Sequence, residues 1–458
     1  MRIIYPYLFL ALLPFCGCQK PSDKGDSHAD KYQSEYAGLS EDSLMNLVQY
    51  QTFQYFWENA EPNSGLAPER THLDGVYPQK DESVVTSGGS GFGLMALVVG
   101  IERGFITREE GIKRFSQILN FLETADRFHG VFPHWWDGKT GKAKAFSKKD
   151  DGGDLVETSF LIQGLLVARQ YFDKESTNEI ELRKRINKIW KEVEWTWHTQ
   201  GENVLYWHWS PNYGWEMNFP VRGYNECLIM YVLAASSPTF PIEPETYHTG
   251  WARSGEISTD QEFLGYKTIL DHYETNDSPV GPLFWAHYSY LGLNPNGLSD
   301  RYADYWKLNV NHARIHHAHA IKNPNNYEGY GEKCWGLTSS YSINGYAGHK
   351  PDHDLGVISP TAALSSFPYT PKESLDFLKF LYVDADTLIG KYGPYDAFSF
   401  EDNWVLPRYL AIDQGPIPVM IENHRTGLIW NLFMSAPEIK KGLNRLGFTV
   451  LSKSSSSQ

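Results

Sequence analysis

Three acidic side chains lie just before an apolar stretch, in KKDDGGDLVETSFLIQGLL at residues 148–166. Asp150, Asp154 and Glu157 are spaced four and three residues apart, so they share one face if the segment is helical. Repulsion within such a cluster raises the pKa of one carboxyl group, which then keeps its proton near neutral pH. A protonated carboxyl group beside a second carboxylate can work as a general acid–base pair.

Helix capping is the structural alternative for these acids. Asp154 near a helix start is a favourable N-terminal charge, and Glu157 could accept hydrogen bonds from backbone N–H groups of the first turn. From these residues alone, capping is the commoner use of an acid at a helix start. However, Glu157 is followed by the buried-type residues Thr158 to Ile162. An unpaired carboxylate there is costly unless it faces a cavity.

A second carboxyl group is needed from another segment. Neighbours at i,i+3 have Cβ atoms about 5–6 Å apart, so Asp154 and Glu157 suit a coupled cluster better than a complete acid and base. We expect Glu226 in RGYNECLIMY, at the entrance of another apolar helix, to be the best candidate. Asp413, on a Gly/Pro-rich turn, is the next candidate, with Glu422 nine residues further on.

Aromatic residues make up 15% of the chain, including 15 Trp, 28 Tyr and 24 Phe. Such residues can fill a core, and packing is the alternative for each one, but aromatic faces also stack on the apolar C–H faces of sugar rings. Several aromatic and polar residues in predicted loops or at helix ends are therefore candidates for substrate binding: His134, Trp135, Trp136, Trp215, Arg222, Tyr224, Trp285, Tyr341, Asp396 and Glu422.

Helices must position these residues, because helical periodicity recurs from about Leu39 onward. Exposed, charged helices alternate with apolar ones, which predicts two concentric layers, an all-α, (α/α)6 double-layered barrel with long aromatic loops. Strand patterns such as NVLYWHW predict short hairpins at most. The predicted helical segments are 43–60, 91–104, 107–126, 154–172, 179–198, 224–236, 258–273, 299–320, 371–386 and 425–448.

The N-terminus has the pattern of a processed leader. An apolar run too short to span a bilayer ends in Cys16-Gly17-Cys18, which resembles a bacterial lipoprotein signal with Cys18 as the lipidated residue. Cys16 fits less well as the acceptor, and a plain secretory signal is the alternative. We expect residues 1–17 to be the signal peptide, 18–38 a flexible tether, 39–452 the catalytic domain and 453–458 a disordered tail. This predicts an exported lipoprotein of the periplasm or outer membrane, with the cell surface as an alternative location.

Other patterns exclude several classes of function. The net charge of −14 argues against a nucleic-acid partner. Cys227 and Cys334 could form one disulfide but have no CxxC partner. The His-rich HARIHHAHA, containing His312, His316 and His319, lacks HExxH, so hydrogen bonding is favoured over metal binding. SGGSGFG is neither a dinucleotide fingerprint nor a GxSxG elbow, and it is expected to serve close helix packing or a tight turn that exposes backbone to a sugar.

The chain resembles the bacterial glucoamylase-like family, and in particular the β-1,2-glucanases of glycoside hydrolase family 144. The matching stretches run from about Ser83 to Trp430 and include VTSGGSGFGLMALVVGIERG, GVFPHWWDG, DGGDLVETSFLIQGLL, GYNECLIMYVLAASSPTF, GPLFWAHYSYLG, CWGLTSS and YGPYDAFSFEDNWVLPRYLAIDQGPIPVMIENHRTGLIW. The resemblance implies an (α/α)6 barrel and hydrolysis of β-1,2-linked glucose chains with inversion. Fold transfers between such relatives more safely than substrate.

With the resemblance added, catalysis is favoured over capping for Glu157. The resemblance implies an acidic cluster at Asp150, Asp154 and Glu157, with Glu226 as a further candidate. It leaves open which carboxyl group is the acid and which the base. In this family the base could act through water and a substrate hydroxyl, so Asp413 stays a candidate.

The sequence thus predicts a monomeric glycoside hydrolase acting on β-1,2-glucan or its oligosaccharides, without cofactor or metal. Its membrane association would come only from the lipid anchor. One alternative is another glycanase or a polysaccharide lyase on the same fold, although a lyase would need basic residues against uronate carboxylates. A second alternative is a non-catalytic glycan-binding lipoprotein, which would keep the aromatic residues without needing the acids.

Overall fold

Helices dominate the chain in a computed structural model that describes residues 34–272 and 280–451. Helix starts follow the local chemistry: Ser40, Thr107, Asp154, Ser176 and Asp304 each accept a hydrogen bond from a backbone N–H of the turn that follows. Thirteen α-helices lie in the described ranges: α1 Glu41–Trp57, α2 Ser87–Glu102, α3 Arg108–Leu122, α4 Leu155–Tyr171, α5 Thr177–Lys191, α6 Leu228–Ser236, α7 Tyr305–Lys322, α8 Pro360–Leu364, α9 Pro371–Lys379, α10 Ala411–Gln414, α11 Pro416–Arg425, α12 Leu428–Ser435 and α13 Pro437–Arg445.

The strands are short and belong to the loops between helices. One sheet has three strands in the order β2-β3-β4, and the other strands form antiparallel pairs. The strands in the described ranges are β1 Arg70–His72, β2 Val84–Thr86, β3 Trp135–Asp137, β4 Ala143–Lys144, β5 Gly153–Asp154, β6 His208–Trp209, β7 Glu262–Phe263, β8 Tyr266–Lys267, β9 Leu298–Ser299, β10 Ser339–Ser342, β11 Gly345–Gly348, β12 Ile389–Gly390, β13 Gly393–Pro394, β14 Phe398–Ser399, β15 Trp404–Val405, β16 Arg408–Leu410 and β17 Thr449–Val450.

The helices form two layers, as the alternation of apolar and charged segments predicts. Helices α4 and α6 are buried along almost their whole length, and so is α2. Helices α3 and α5 bury one face each and pack against one another outside this layer. The prediction of an all-α, double-layered α/α barrel is confirmed.

Helices α2 and α4 cross at unusually short range through two glycines. A Cβ atom on Gly91 would lie 2.2 Å from the carbonyl oxygen of Phe160, and one on Gly164 would lie 2.1 Å from that of Gly91. No side chain fits at such distances, so both positions require glycine. The interpretation of the Gly-rich SGGSGFG segment as a close packing surface is confirmed.

Several predicted helices differ from the structure. The helix predicted over 258–273 is wrong: this segment contains the hairpin of β7 and β8, whose turn places Leu264 and Gly265 at positive φ. The segments 224–236 and 299–320 become helical only at Leu228 and Tyr305. In the second case Asp304 caps α7. Glu226 therefore lies just before α6 rather than inside it.

The structure decides between the alternatives left open for the two cysteines and for the histidine cluster. Cys227 and Cys334 are both buried, free thiols, so the disulfide left open by the sequence is not formed. His312 and His316 both bind the carbonyl oxygen of Gly281, and His319 pairs with Asp354 at 2.8 Å. Hydrogen bonding is thus the role of this cluster, as favoured from the sequence.

The leader and the C-terminal tail fall on residues that are not described. Cys18, the predicted lipidation site, lies outside the described residues, as do most of the predicted tether and the tail. Within residues 34–272 and 280–451, no helix is both long and apolar enough to cross a bilayer.

Candidate active site

A cavity of about 370 Å³ opens at the N-terminal ends of the buried helices. Thr86, just before α2, Glu157 in the first turn of α4, and Glu226, just before α6, all line it. Its walls come from loops and are mainly aromatic: Trp135, Phe146, Trp207, Tyr288, Tyr341 and Tyr346. This combination of carboxyl groups and ring faces suits a sugar, whose hydroxyls need polar partners and whose C–H faces stack on rings.

Glu157 is a buried carboxyl group held from behind. Its Oε2 accepts a 2.9 Å hydrogen bond from the backbone N–H of Gly88 in α2. Burial raises the pKa of Glu157 to about 8, against the opposing effect of His134 and with a further contribution from Asp154. Glu157 therefore carries a proton at neutral pH and can still lose it within the working range of an enzyme.

Glu226 faces the same cavity from a different segment. Its backbone carbonyl accepts a hydrogen bond from the Ser289 hydroxyl, which fixes the chain just before α6. Burial raises the pKa of Glu226 to about 7. The cavity thus contains two carboxyl groups from separate helix starts, each able to hold or release a proton near neutrality.

Two aspartates and two histidines form a network behind Glu157. Asp154 caps α4 through Oδ1, which accepts from the Glu157 N–H at 2.9 Å, and its Oδ2 lies 3.1 Å from His134 Nδ1 and 3.4 Å from His208 Nε2. Asp150 Oδ2 lies 3.1 Å from His208 Nε2 and 4.0 Å from His134 Nδ1. Both aspartates are almost fully buried, so their charges must be neutralised within this network.

The network strongly perturbs its members. Burial by itself would lower the pKa of His134, but Glu157, Asp154 and Asp150 raise it to about 10. In the same way Asp150 and Asp154 raise the pKa of His208 to about 9 against burial. Burial would raise the pKa of Asp154, but its hydrogen bonds with both histidines hold it below its usual value.

The same residues are close enough to share a cation. Ligand atoms of His134, Asp150 and Asp154 lie within 4.8 Å of one another. Each carboxylate already has an imidazole N–H within ion-pair distance, and His208 Nδ1 is buried without the hydrogen-bond partner that usually orients a metal-binding imidazole. The two aspartates and two histidines therefore suit a network of carboxylates and protonated imidazole rings. No step of the chemistry is assigned to a metal.

A second acidic pair lies behind the opposite wall. Asp396 and Asp413 are buried neighbours, and Oδ1 of Asp396 and Oδ2 of Asp413 have no other hydrogen-bond partner among the described residues, so one shared proton would satisfy both. Asp396 also accepts from the Tyr341 N–H at 2.7 Å, and Asp413 lies 3.5 Å from the Tyr288 hydroxyl. Burial raises the pKa of Asp396 to about 6 and that of Asp413 well above its usual value, with Asp396 as the next cause for Asp413. The pair supports two aromatic side chains that line the cavity.

The cavity brings together part of the predicted site, namely His134, Trp135, Glu157, Glu226 and Tyr341. Asp150, Asp154, Asp396 and Asp413 lie immediately behind these residues. The expectation that Asp150, Asp154 and Glu157 share a helical face is wrong, because the helix begins only at Leu155. Asp154 is the capping residue of α4, so the capping alternative applies to it. Asp150 is brought close to Asp154 by a loop and by the pairing of β5 with β6.

Other predicted binding residues do not line the cavity. Trp136 is fully buried and donates to the Asp126 carbonyl, and Trp215 packs against Trp197 and Tyr206. Three further members of the predicted set are engaged elsewhere: Arg222 binds the Thr249 carbonyl, Trp285 packs on the buried Tyr224, and Glu422 pairs with Arg103 at 2.6 Å.

Several residues in or behind the cavity have no recognisable signal in the sequence. Glu69, Arg70 and Gln79 line the cavity from the segment before α2, where no local pattern distinguishes them from surface charges. His208 and Trp207 lie in NVLYWHW, where alternation alone signals that neighbouring residues face opposite sides. Pairing that strand with Asp154 would have identified His208, but pairing partners cannot be read from one segment.

Comparison with known proteins supports a shared family and fold. A family model described as "Putative glucoamylase" matches residues 218–437. The crystal structure of a putative glucoamylase from Bacteroides caccae is 57% identical in sequence and has a TM-score of 0.88. The match covers 90% of this chain and 100% of that one. The endo-β-1,2-glucanase of Chitinophaga pinensis, solved with sophorotriose and glucose, is 60% identical with a TM-score of 0.88, covering 90% of this chain and 99% of that one.

A curated relative is similar over a shorter share of its own length. The exo β-1,2-glucooligosaccharide sophorohydrolase (non-reducing end) of Parabacteroides distasonis is 46% identical over 426 residues, which is 89% of this chain. The chain spans 58% of that relative.

Proposed function

Because this chain belongs to the bacterial glucoamylase-like family, in the β-1,2-glucanase group of glycoside hydrolase family 144, we propose that it hydrolyses β-1,2-linked glucan chains or their oligosaccharides. The observation that carries the proposal is the convergence of Glu157 and Glu226 on one aromatic cavity. Glu157 is buried and Glu226 is partly buried, both have a raised pKa, and each comes from a different helix start. Similar relatives act on β-1,2-glucans in both endo and exo fashion, so the linkage is proposed without the mode of attack.

The reaction proposed is direct displacement by water with inversion. One carboxyl group donates its proton to the glycosidic oxygen as the C–O bond breaks, and the other accepts a proton from the water that attacks the anomeric carbon. Water supplies the new C1–OH bond and the leaving sugar takes up the donated proton, so no further reactant is needed. Glu157 and Glu226 are proposed as this pair.

Digestion of linear β-1,2-glucan, with products resolved over time, tests the activity. We expect release of short β-1,2-gluco-oligosaccharides and none from β-1,3- or β-1,4-glucan. A ladder of sizes indicates endo attack, and one disaccharide from the start indicates exo attack. Proton NMR of the first turnover should show the α-anomer at the new reducing end. Binding of the glucan without cleavage would instead establish a glycan-binding protein.

Removing each carboxyl group tests its role. We expect Glu157→Gln and Glu226→Gln each to lower kcat by about 10²–10⁴-fold, because general acid–base catalysis contributes that much. Glu109→Gln is the matched control, since Glu109 is exposed in the first turn of α3. Unchanged hydrolysis by Glu157→Gln would refute its assignment.

We also propose that the protein is exported and anchored by a lipid on Cys18, working as a monomer in the periplasm or at the outer membrane. The apolar leader and the small residue before Cys18 support this. Labelling with a palmitate analogue in a bacterial host, followed by detergent partitioning, tests the anchor. Cys18→Ser should abolish labelling, whereas Cys16→Ser should not.

A further inference from the structure

We propose that His208 is a positioning residue whose positive charge lets Asp150 and Asp154 remain ionised together, so that Asp154 can hold both His134 and the first turn of α4 in place beneath the cavity. This inference rests on the proposed function, since it concerns how that site holds Glu157. His208 itself is not part of the cavity wall. It acts through its neighbours.

The strand pairing fixes the geometry of His208. Asp154 in β5 lies directly opposite His208 in β6, in a ladder of only two residues. His208 Nε2 lies 3.1 Å from Asp150 Oδ2 and 3.4 Å from Asp154 Oδ2. Nε2 therefore carries a proton that faces both carboxylates. In the cationic ring the second proton lies on Nδ1, which has no hydrogen-bond partner among the described residues, so the two carboxylates must outweigh that unmade bond.

Charge neutrality requires a second cation in this network. Asp154 is 0% and Asp150 is 4% exposed, and two buried carboxylates this close cannot both stay ionised beside a single imidazolium without a large penalty. The nearest lysine on the same loop, Lys149, is paired with Glu216 at 3.2 Å. His134 and His208 are the cationic groups in contact with these aspartates.

Asp154 transmits this arrangement to the cavity in two ways. Its Oδ1 caps α4 by accepting from the N–H of Glu157, and its Oδ2 accepts from His134 Nδ1. The His134 ring lies on the cavity wall, stacked against Phe146 with centroids 4.2 Å apart. If Asp154 took up a proton, both the cap and the orientation of His134 would weaken.

The other titratable groups around the network have defined states. His198, on the turn that packs behind β6, is fully buried, and burial lowers its pKa to about 4, so it is neutral. Glu157 and Glu226 act on Asp154 from the cavity side, and Cys227, whose thiol pKa is raised by burial, lies beside them. None of these groups supplies a positive charge.

The role of His208 is tested by substitutions in the full-length chain that change the net charge of the network. His208→Gln keeps an N–H donor but removes the positive charge. We expect kcat to fall about 10–100-fold, the usual cost of a small misplacement of a catalytic group, with KM changed much less. The limb of the pH–rate profile that reports Glu157 should move to higher pH, because a lost positive charge favours the protonated carboxyl.

Asp150→Asn supplies the opposite change. Removing one negative charge should move the same limb to lower pH, and the double variant Asp150→Asn/His208→Gln should return the limb toward wild type and recover part of kcat. His129→Gln is the control, since His129 pairs with Glu194 at 3.0 Å on the surface outside the cavity. If the double variant is no better than His208→Gln, or if neither single variant moves the profile, the charge role is refuted.

Histidine protonation provides a readout that needs neither substrate nor a folded variant. Long-range ¹H–¹⁵N spectra of ¹⁵N-histidine-labelled wild type should show the rings of His134 and His208 doubly protonated at pH 7.5. If wild type is inactive on β-1,2-glucan, the proposed function fails while this measurement still decides the network. A neutral His208 at pH 7.5, or a stoichiometric divalent ion bound by these residues, would overturn the inference.

Discussion

The backbone N–H of Gly88 donates a 2.9 Å hydrogen bond to Oε2 of Glu157, and a Cβ atom on Gly88 would lie 2.2 Å from that same oxygen. The contact joins the first turns of α2 and α4 at the cavity. The space that the Glu157 carboxyl group occupies therefore exists because residue 88 has no side chain. Residue 88 must be glycine because the Glu157 carboxyl group lies against it, and not because of its backbone conformation.

Replacing that glycine should impair catalysis more than folding. In Gly88→Ala the new methyl must push the Glu157 carboxyl group away, so we expect kcat to fall about 10–100-fold, as displacements of a reacting group do. Steady-state kinetics and circular dichroism measure the two effects. Gly331→Ala is the control, because a Cβ atom there meets nothing within 4 Å. Equal activity of Gly88→Ala and wild type would contradict the contact.

Glu157 should make the protein less stable as pH rises. Its pKa is about 8 in the folded state and near 4.5 when unfolded, so the folded state holds a proton that unfolding releases between these values. Stability from this group is present below about pH 4.5 and is lost progressively up to about pH 8.

Glu157→Gln removes this titration while keeping the shape of the side chain. We expect its Tm at pH 8 to exceed that of wild type by about 5 °C, since a pKa raised from about 4.5 to about 8 corresponds to roughly 4 kcal/mol and the unfolding entropy is about 2.1 cal/mol/K per residue. At pH 4.5 the two Tm values should converge. Thermal unfolding across pH 4.5–8.5 measures the difference, and a constant offset would show that Glu157 does not titrate in this range.

The carboxyl pair of Asp396 and Asp413 predicts opposite results for two substitutions at one position. Asp413→Asn supplies an N–H donor to Asp396 without a titrating proton, so we expect Tm at pH 7 to match or exceed wild type. Asp413→Ala leaves Asp396 buried without that partner, which should cost about 1–3 kcal/mol. Chemical denaturation separates the outcomes. Equal stability of the two variants would show that the carboxyl groups do not share a proton.

Phe146 should contribute to substrate binding rather than to the chemical step. It is 50% exposed, lines the cavity, stacks on His134 and packs edge-on against Trp135. We expect Phe146→Ala to raise KM about fivefold, equivalent to about 1 kcal/mol of lost ring contact, with a smaller effect on kcat. Tyr50→Ala is the control, since Tyr50 is 43% exposed on α1 and packs against Phe105. A purely kcat effect would show that Phe146 acts through His134 instead.

Much of the fold could be predicted because helical periodicity is local. The capping box of Thr107 and Glu110 and the apolar α4 and α6 follow from residues within one or two turns. The sequence of the β7–β8 hairpin resembles a helix because Leu264 is an apolar residue at a helical spacing. In the structure Leu264 instead adopts positive φ. Nothing in the residue type signals that conformation.

The site was only partly predictable because its contacts join distant segments. Glu157 and Glu226 were found since each lies at a polar-to-apolar boundary. Glu422 has similar surroundings in sequence, yet it pairs with Arg103, 319 residues away, and lies outside the cavity. His208 was missed because its importance arises from the partner strand that holds Asp154.

The reacting groups and the walls around them come from different parts of the architecture. Glu157 and Glu226 are held by helix starts within the packed interior, whereas Tyr341 and Tyr346 belong to the hairpin of β10 and β11, whose turn is open to solvent. Exchanging that hairpin would therefore reshape the cavity while leaving both carboxyl groups in place. Under the proposed function, such an exchange would change the length of the product without changing the reaction.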